Sequence, residues 1–236
     1  VERGAAVRRF LRDVGGYTDV EIDATILSDG SLELVESRTF DFEGSFSSAF
    51  FTVDGDPALV EDFQVTREPI EGVAGPLLVT TERLPSQFKG SWSFRAVDEP
   101  VTFQISYRVR CAVDVYEDTA HLLWQFVGWG WTEPTDRVRV TLHVPGRATG
   151  EIPPRLTDVC NPGPVGDLPS VERAGLAAGE VRAWGHGPLG GEIRIPDPST
   201  VTFQIEHLAP GTFVEDVISG ARFRSDDKAW LLAKRL

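Results

Sequence analysis

The sequence predicts an all-β chain, arranged as two tandem β-sandwich modules with a short C-terminal helix. Three observations carry that expectation. The pentapeptide Val-Thr-Phe-Gln-Ile occurs twice, at 101–105 and 201–205, and each copy alternates apolar and polar residues as a strand with one buried face does. The copies stand 100 residues apart, about the length of one sandwich domain. Along the chain the alternating runs are punctuated by Asp-Gly, Pro-Gly and Leu-Pro steps, which end strands. The implied organisation is an N-terminal arm (1–16), a first module (17–112), an aromatic bridge (113–134), a second module (135–221) and a helix (222–236).

The elements follow in order. The arm carries an apolar trio, Val7, Phe10 and Leu11. Val20, Ile22, Ala24 and Ile26 then alternate with Glu21, Asp23 and Thr25. Ser28-Asp29-Gly30-Ser31 is a tight-hairpin signal, and Leu32 and Leu34 open the return strand toward Phe42. Further strands are expected near 46–53, 59–67, 76–82, 91–97 and 101–110. In the second module Val138, Val140, Leu142 and Val144 alternate with Arg137, Arg139, Thr141 and His143. Residues 146–179 are rich in Pro and Gly and read as surface loops, and strands resume near 180–184, 191–195 and 200–208. Asp226-Asp227 can cap a helix whose apolar side is Ala229, Leu232, Ala233 and Leu236.

Composition bounds the function. With 23 basic and 36 acidic residues the formal net charge is −13. A field of that sign repels phosphate backbones and anionic membrane surfaces, so no nucleic acid is expected as a partner. No run approaches the roughly 20 apolar residues of a membrane helix. The chain starts at Val1 and contains no methionine, so it is expected to be an excised fragment or a mature form. Its two cysteines, Cys111 and Cys160, either pair or remain two thiols. If paired they close a long loop, worth about 3–4 kcal/mol in the chain-entropy model.

Several residues invite a functional reading beside a structural one. Trp129 and Trp131, set among glycines, can form a stacking platform for a sugar or peptide; alternatively Trp124, Phe126 and Trp129 plug the junction between modules. Trp184-Gly185-His186-Gly187-Pro188 is a glycine-dense segment, read as a tight corner packed by Trp184 or as a place where backbone approaches a ligand. His121, His143, His186 and His207 lie far apart, so no metal site is expected; His143 falls on the solvent face of its strand and His207 on the apolar face. The acidic pairs Asp54/Asp56, Glu61/Asp62, Glu117/Asp118 and Asp226/Asp227 supply carboxylates, but nothing selects a pair for hydrolysis. No cofactor motif occurs.

Five stretches, taken in order, resemble a known family. They are Asp29-Gly30-Ser31-Leu32 leading to Glu36; Phe40-Asp41-Phe42-Glu43-Gly44; Leu123-Trp124-Gln125 with the Gly-Trp that follows; Ala183-Trp184-Gly185-His186-Gly187-Pro188-Leu189-Gly190-Gly191; and Leu208-Ala209-Pro210-Gly211-Thr212-Phe213. The family is the bacterial predicted membrane proteins built on the domain of unknown function 2207, and the resemblance spans about residues 17–220. It implies the N-terminal extracytoplasmic region, set between a signal peptide and membrane helices, with membrane anchoring through segments outside this chain. Residues 226–236 then begin the approach to the membrane. The family has no established activity, so no catalytic residue carries over. Family members often have an Arg soon after the Phe-x-Gly element, whereas Ser45–Val53 has no basic residue.

The expected function is thus a non-enzymatic ectodomain at the cell membrane that binds, senses or displays, with an extracellular protein or glycan as partner. A carbohydrate or cell-wall module using exposed Trp, and a carboxylate-dependent hydrolase, are the rival readings.

Overall fold

The computed structural model describes residues 14–27, 29–68, 75–115, 119–128, 133–144, 181–186, 188, 190–197, 199–221 and 232–234. Almost all of them are strand. In chain order these are β1 (Val14–Ile26), β2 (Leu32–Phe42), β3 (Ser45–Asp54), β4 (Val60–Arg67), β5 (Gly75–Pro76), β6 (Val79–Leu84), β7 (Gln87–Val97) and β8 (Pro100–Val109). There follow β9 (Val113–Val115), β10 (Thr119–Val127), β11 (Thr135–His143), β12 (Val181–His186), β13 (Glu192–Asp197), β14 (Thr200–Leu208), β15 (Val214–Ala221) and β16 (Leu232–Lys234). One 3-10 turn, Pro57–Leu59, precedes β4, with Asp56 capping it through the Ala58 amide.

The β1–β2 hairpin forms where its residues require it. Gly30 takes φ +77°, a conformation glycine reaches without a Cβ penalty. The Asp29 carboxylate accepts the Ser31 amide at 3.0 Å, and the Leu27 amide donates to the Ser31 carbonyl at 2.8 Å. From this hairpin the main sheet grows to eight strands in the order β13-β14-β11-β1-β2-β8-β4-β5. The β1–β11 contact is parallel; the others in this sheet are antiparallel.

Register aligns one apolar face across this sheet. Phe203 lies opposite Val140, Val140 beside Ile22, Ile22 opposite Glu36, and Glu36 opposite Ile105. A one-residue slip anywhere would turn a strand's apolar set to water. Against this face lie a three-stranded sheet, β3-β7-β6, and a five-stranded sheet, β16-β12-β15-β10-β9. A single core joins all three, with Phe88 and Trp92 from β7, Leu122 and Phe126 from β10, and Phe103 and Phe203 from the main sheet all buried. The outer face of the main sheet stays polar, as an antiparallel sheet covered on one side should.

The all-β expectation stands, and three finer expectations are corrected. The two Val-Thr-Phe-Gln-Ile strands are buried alike, but β8 and β14 belong to one continuous sheet rather than to two tandem sandwich modules. Alternation reveals which face of a strand is apolar and does not choose its neighbour; the parallel pairing of β1 with β11 fuses the halves. The aromatic bridge holds two strands, β9 and β10, and residues 14–16 of the arm begin β1. At the C-terminus Leu232–Lys234 is a strand, not helix, pairing in parallel with Val181–Ala183. Helices shorter than about 12–15 residues are marginal in water, whereas the open edge of β12 offers backbone partners. The remainder of the expected helix, and the arm before residue 14, lie outside the described residues.

Candidate functional site

The most unusual chemistry in the described structure is buried in the middle of the main sheet. β2 turns Leu32, Leu34, Glu36, Arg38, Phe40 and Phe42 inward. Two ionic side chains, two residues apart, therefore share the apolar face. Glu36 is 1% and Arg38 3% exposed. Arg38 Nε donates to Glu36 Oε2 at 2.7 Å, and its Nη2 stands 2.6 Å from the same oxygen. The other carboxylate oxygen, Oε1, accepts the Tyr107 hydroxyl at 2.6 Å. Tyr107 lies opposite Leu34 on β8, which makes it the diagonal neighbour of Glu36. Burial, then the adjoining Glu36 carboxylate, push the Tyr107 phenol well above its ordinary value, while Arg38 pulls the other way.

Arg38 reaches beyond its own sheet. Its Nη2 donates to the Phe126 carbonyl at 3.1 Å. Phe126 is the residue skipped where the β10–β15 register shifts between Gln125 and Val127, so the bulge supplies an acceptor for Arg38. The Arg38 guanidinium also sits 5.3 Å from the centre of the Phe51 ring, in cation–π range. Phe51 belongs to β3 and packs at 5.5 Å on Tyr107. One guanidinium thus touches all three sheets. A buried ion pair costs desolvation that its attraction only partly returns, so its contribution here is orientation: it fixes how the two smaller sheets meet the large one.

The outer face bears a second set of charges, paired across β1 and β11. Arg137 binds Asp19, with Nε 3.1 Å from Oδ1, and that hydrogen bond raises the Arg137 pKa. Arg139 lies 3.8 Å from Glu21 and His143 3.1 Å from Asp23. Arg108 binds Asp29 at the hairpin tip. Burial acts to raise the Asp29 carboxyl, but bonds from Ser31 and the charge of Arg108 hold it below its ordinary value.

The residues singled out from sequence are not gathered into one place. Trp129, Trp131 and Cys160 lie outside the described residues, as do Glu117, Asp118, Asp226 and Asp227. Trp184 and His186 occupy β12, opposite Val217 and Glu215 of β15, so His186 ends a strand rather than forming a corner. Cys111 is disulfide-bonded and takes φ +55° just after β8. His143 is on the solvent face as expected. His207 is not on the apolar side: its φ of +55° turns it outward, and it is exposed. Asp54 accepts from Gln87 and Asp56 caps the 3-10 turn, while Glu61 pairs with Arg110. Among the described residues no group of three or more His, Cys, Asp or Glu is placed to hold a metal.

Sequence reading passed over Arg38 and the role of Glu36. The signal was present: an acid and a base at alternate positions inside the run Leu32, Leu34, Phe40, Phe42.

A three-sheet β domain clamped from within by a buried ionic network is the class that this fold and site define. The chain belongs to the family described as predicted membrane protein (DUF2207) N-terminal domain, whose model matches residues 16–219. No curated protein matches it in sequence. Among solved structures, yeast LTA4 hydrolase in complex with bestatin is similar at a TM-score of 0.51 and 8% identity, over 89% of this chain and 29% of that one. A putative protease from Parabacteroides distasonis ATCC 8503 gives a TM-score of 0.49 and 11% identity, over 88% of this chain and 40% of that one. The chain spans well under half the length of either protein, and at such identity the yeast enzyme speaks to fold alone. No helix among the described residues is long and apolar enough to cross a membrane.

Proposed function

We propose that this chain is the extracytoplasmic part of its membrane protein and acts there without catalysis, binding a protein or glycan outside the cell. The disulfide at Cys111 carries the placement, because disulfides persist where the compartment is oxidising. Cys160 is the chain's other cysteine and is its partner in this reading, tying the end of β8 to the Pro- and Gly-rich segment. The non-enzymatic reading rests on the buried network: Glu36, Arg38 and Tyr107 bind one another and the two smaller sheets. The surface on offer in this reading is the polar outer face of the main sheet.

Two measurements test this. In cells making the full-length protein, a membrane-impermeant maleimide should leave both cysteines unlabelled until a reductant is added from outside. Labelling without reductant, or only after the membrane is breached, defeats the placement. Turnover of a peptide or glycoside substrate by the purified chain, abolished by a single carboxylate substitution, defeats the non-enzymatic reading.

A further inference from the structure

The large apolar side chains left exposed among the described residues are Val35, Leu78, Leu84, Val97 and Leu123. Two of these bracket one strand. Leu78, 89% exposed, immediately precedes β6, and Leu84 closes it. Among the described residues β6 is an outermost strand of its sheet and pairs with β7 on one side, and five of its six residues are exposed.

The hairpin that joins β6 to β7 decides which backbone groups face outward. Leu84 lies opposite Gln87, across the two-residue turn Pro85-Ser86. The residues flanking such a turn form a hydrogen-bonded pair, and such pairs alternate along the ladder. Leu84, Glu82 and Thr80 therefore bond to β7, and the amides and carbonyls of Arg83, Thr81 and Val79 point to the open edge.

We propose that this edge pairs, antiparallel and about a two-fold axis, with β6 of a second copy of the chain, in the register centred on Thr81. In that register Thr81 meets its own mate and Val79 meets Arg83, so the outward groups of all three find partners. Leu78 of each copy falls opposite Leu84 of the other, on the face that also carries Thr80 and Glu82, and covers apolar surface at both ends of the ladder. Glu82 falls opposite Thr80, with Lys89 at 3.8 Å to offset its charge. Arg83 is turned away from the incoming strand, donating to the Pro57 carbonyl at 3.2 Å and the Val60 carbonyl at 3.4 Å. No like charges stand directly opposite, which an unrelated strand has no reason to satisfy. The two three-stranded sheets become one of six. A strand pair of this length makes a weak dimer in solution, opposed by the net charge of −13; salt screens that repulsion, and attachment to one membrane raises the effective concentration.

Sedimentation across a concentration series should show reversible dimerisation that strengthens with salt. Thr81→Pro removes an outward amide and leaves the β7 ladder intact; Leu78→Asp lies outside the strand altogether. Each should weaken dimerisation about tenfold or more while leaving the circular dichroism spectrum and melting temperature close to those of the parent. A mixture of Leu78→Cys and Leu84→Cys chains should form a crosslinked dimer under mild oxidation, and neither chain alone should do so to the same extent. A chain that stays monomeric throughout the series overturns the proposal, as does a dimer indifferent to Thr81→Pro and Leu78→Asp. Absence of the mixed crosslink rejects the Thr81 register. Capture of a different protein by the same edge, abolished by Thr81→Pro, replaces the second copy with that partner.

Discussion

Arg38 and Glu36 invite a direct measurement, because a buried ion pair and a half of one behave so differently. Arg38→Met removes the guanidinium from the Glu36 carboxyl and leaves that carboxyl in the core, still accepting from the Tyr107 hydroxyl. Removal of one member of a buried pair costs about 3–5 kcal/mol. Glu36→Leu combined with Arg38→Met removes both charges and should recover most of that loss in urea unfolding. A double variant as unstable as the sum of the singles shows that the two side chains do not act together. Tyr107 adds a pH dependence with a definite sign. Its folded pKa is raised by burial and by Glu36, so the folded state holds the phenol proton after the unfolded chain releases it near pH 10. The contribution is fully present below that pH and is lost as pH rises toward the folded value. Stability should fall steeply above about pH 10, and Tyr107→Phe should flatten that limb while costing about 1–3 kcal/mol at neutral pH through the Glu36 acceptor it strands. An unchanged alkaline limb removes Tyr107 as its source. These side chains could have been placed one at a time, since Glu36 and Arg38 keep step with Leu32, Leu34, Phe40 and Phe42 in β2, but the sequence reading passed over them. What no sequence displays is the Phe126 carbonyl, because a bulge in a strand more than eighty residues away turns it toward Arg38.

Among the elements, β7 is held closely against the main sheet by the absence of a side chain. A Cβ built on Gly90 would stand 2.1 Å from Cε1 of Phe63 and 2.5 Å from Cζ. The Phe63 ring is itself packed 5.2 Å from Phe88 and 6.2 Å from Tyr107, so it cannot swing aside freely. Gly90→Ala should therefore destabilise by about 1–3 kcal/mol through overpacking. In a double-mutant cycle Phe63→Leu should relieve part of that cost; additive losses show that the strain lies elsewhere. The hairpins and most strands were readable because they alternate cleanly and end at Asp-Gly or Pro. β10 was not, since Leu122, Phe126 and Val127 are buried while Leu123 and Gln125 are exposed, a pattern broken by the bulge at Phe126. β16 was misread because Lys228–Leu236 has good helix propensity, and propensity yields to an available sheet edge.

The main sheet depends on a pairing between its N-terminal strand, β1, and β11 from the middle of the chain. The repeated pentapeptide made two independent sandwiches the natural expectation, yet the residues that decide the matter are those of β1. Its Val20, Ile22 and Ala24 lie beside Val138, Val140 and Leu142 of β11 on one side and beside Arg38, Glu36 and Leu34 of β2 on the other. Parallel pairing over so long a connection leaves no local signature: β1 shows an apolar face whether its neighbour comes early or late in the chain. The consequence is thermodynamic. Without residues 113–236, β1 loses its β11 partner, Arg38 loses the Phe126 carbonyl, and the main sheet presents a bare apolar edge. A fragment of residues 1–112 should therefore lack a cooperative melting transition and should aggregate, as an uncovered apolar edge promotes. The intact chain should unfold in a single calorimetric transition, with equal van't Hoff and calorimetric enthalpies. Two tandem modules make the opposite forecast, namely two transitions, the first of them reproduced by the isolated fragment. That outcome would mean the β1–β11 ladder contributes little, and that the eight-stranded sheet is two sheets placed edge to edge.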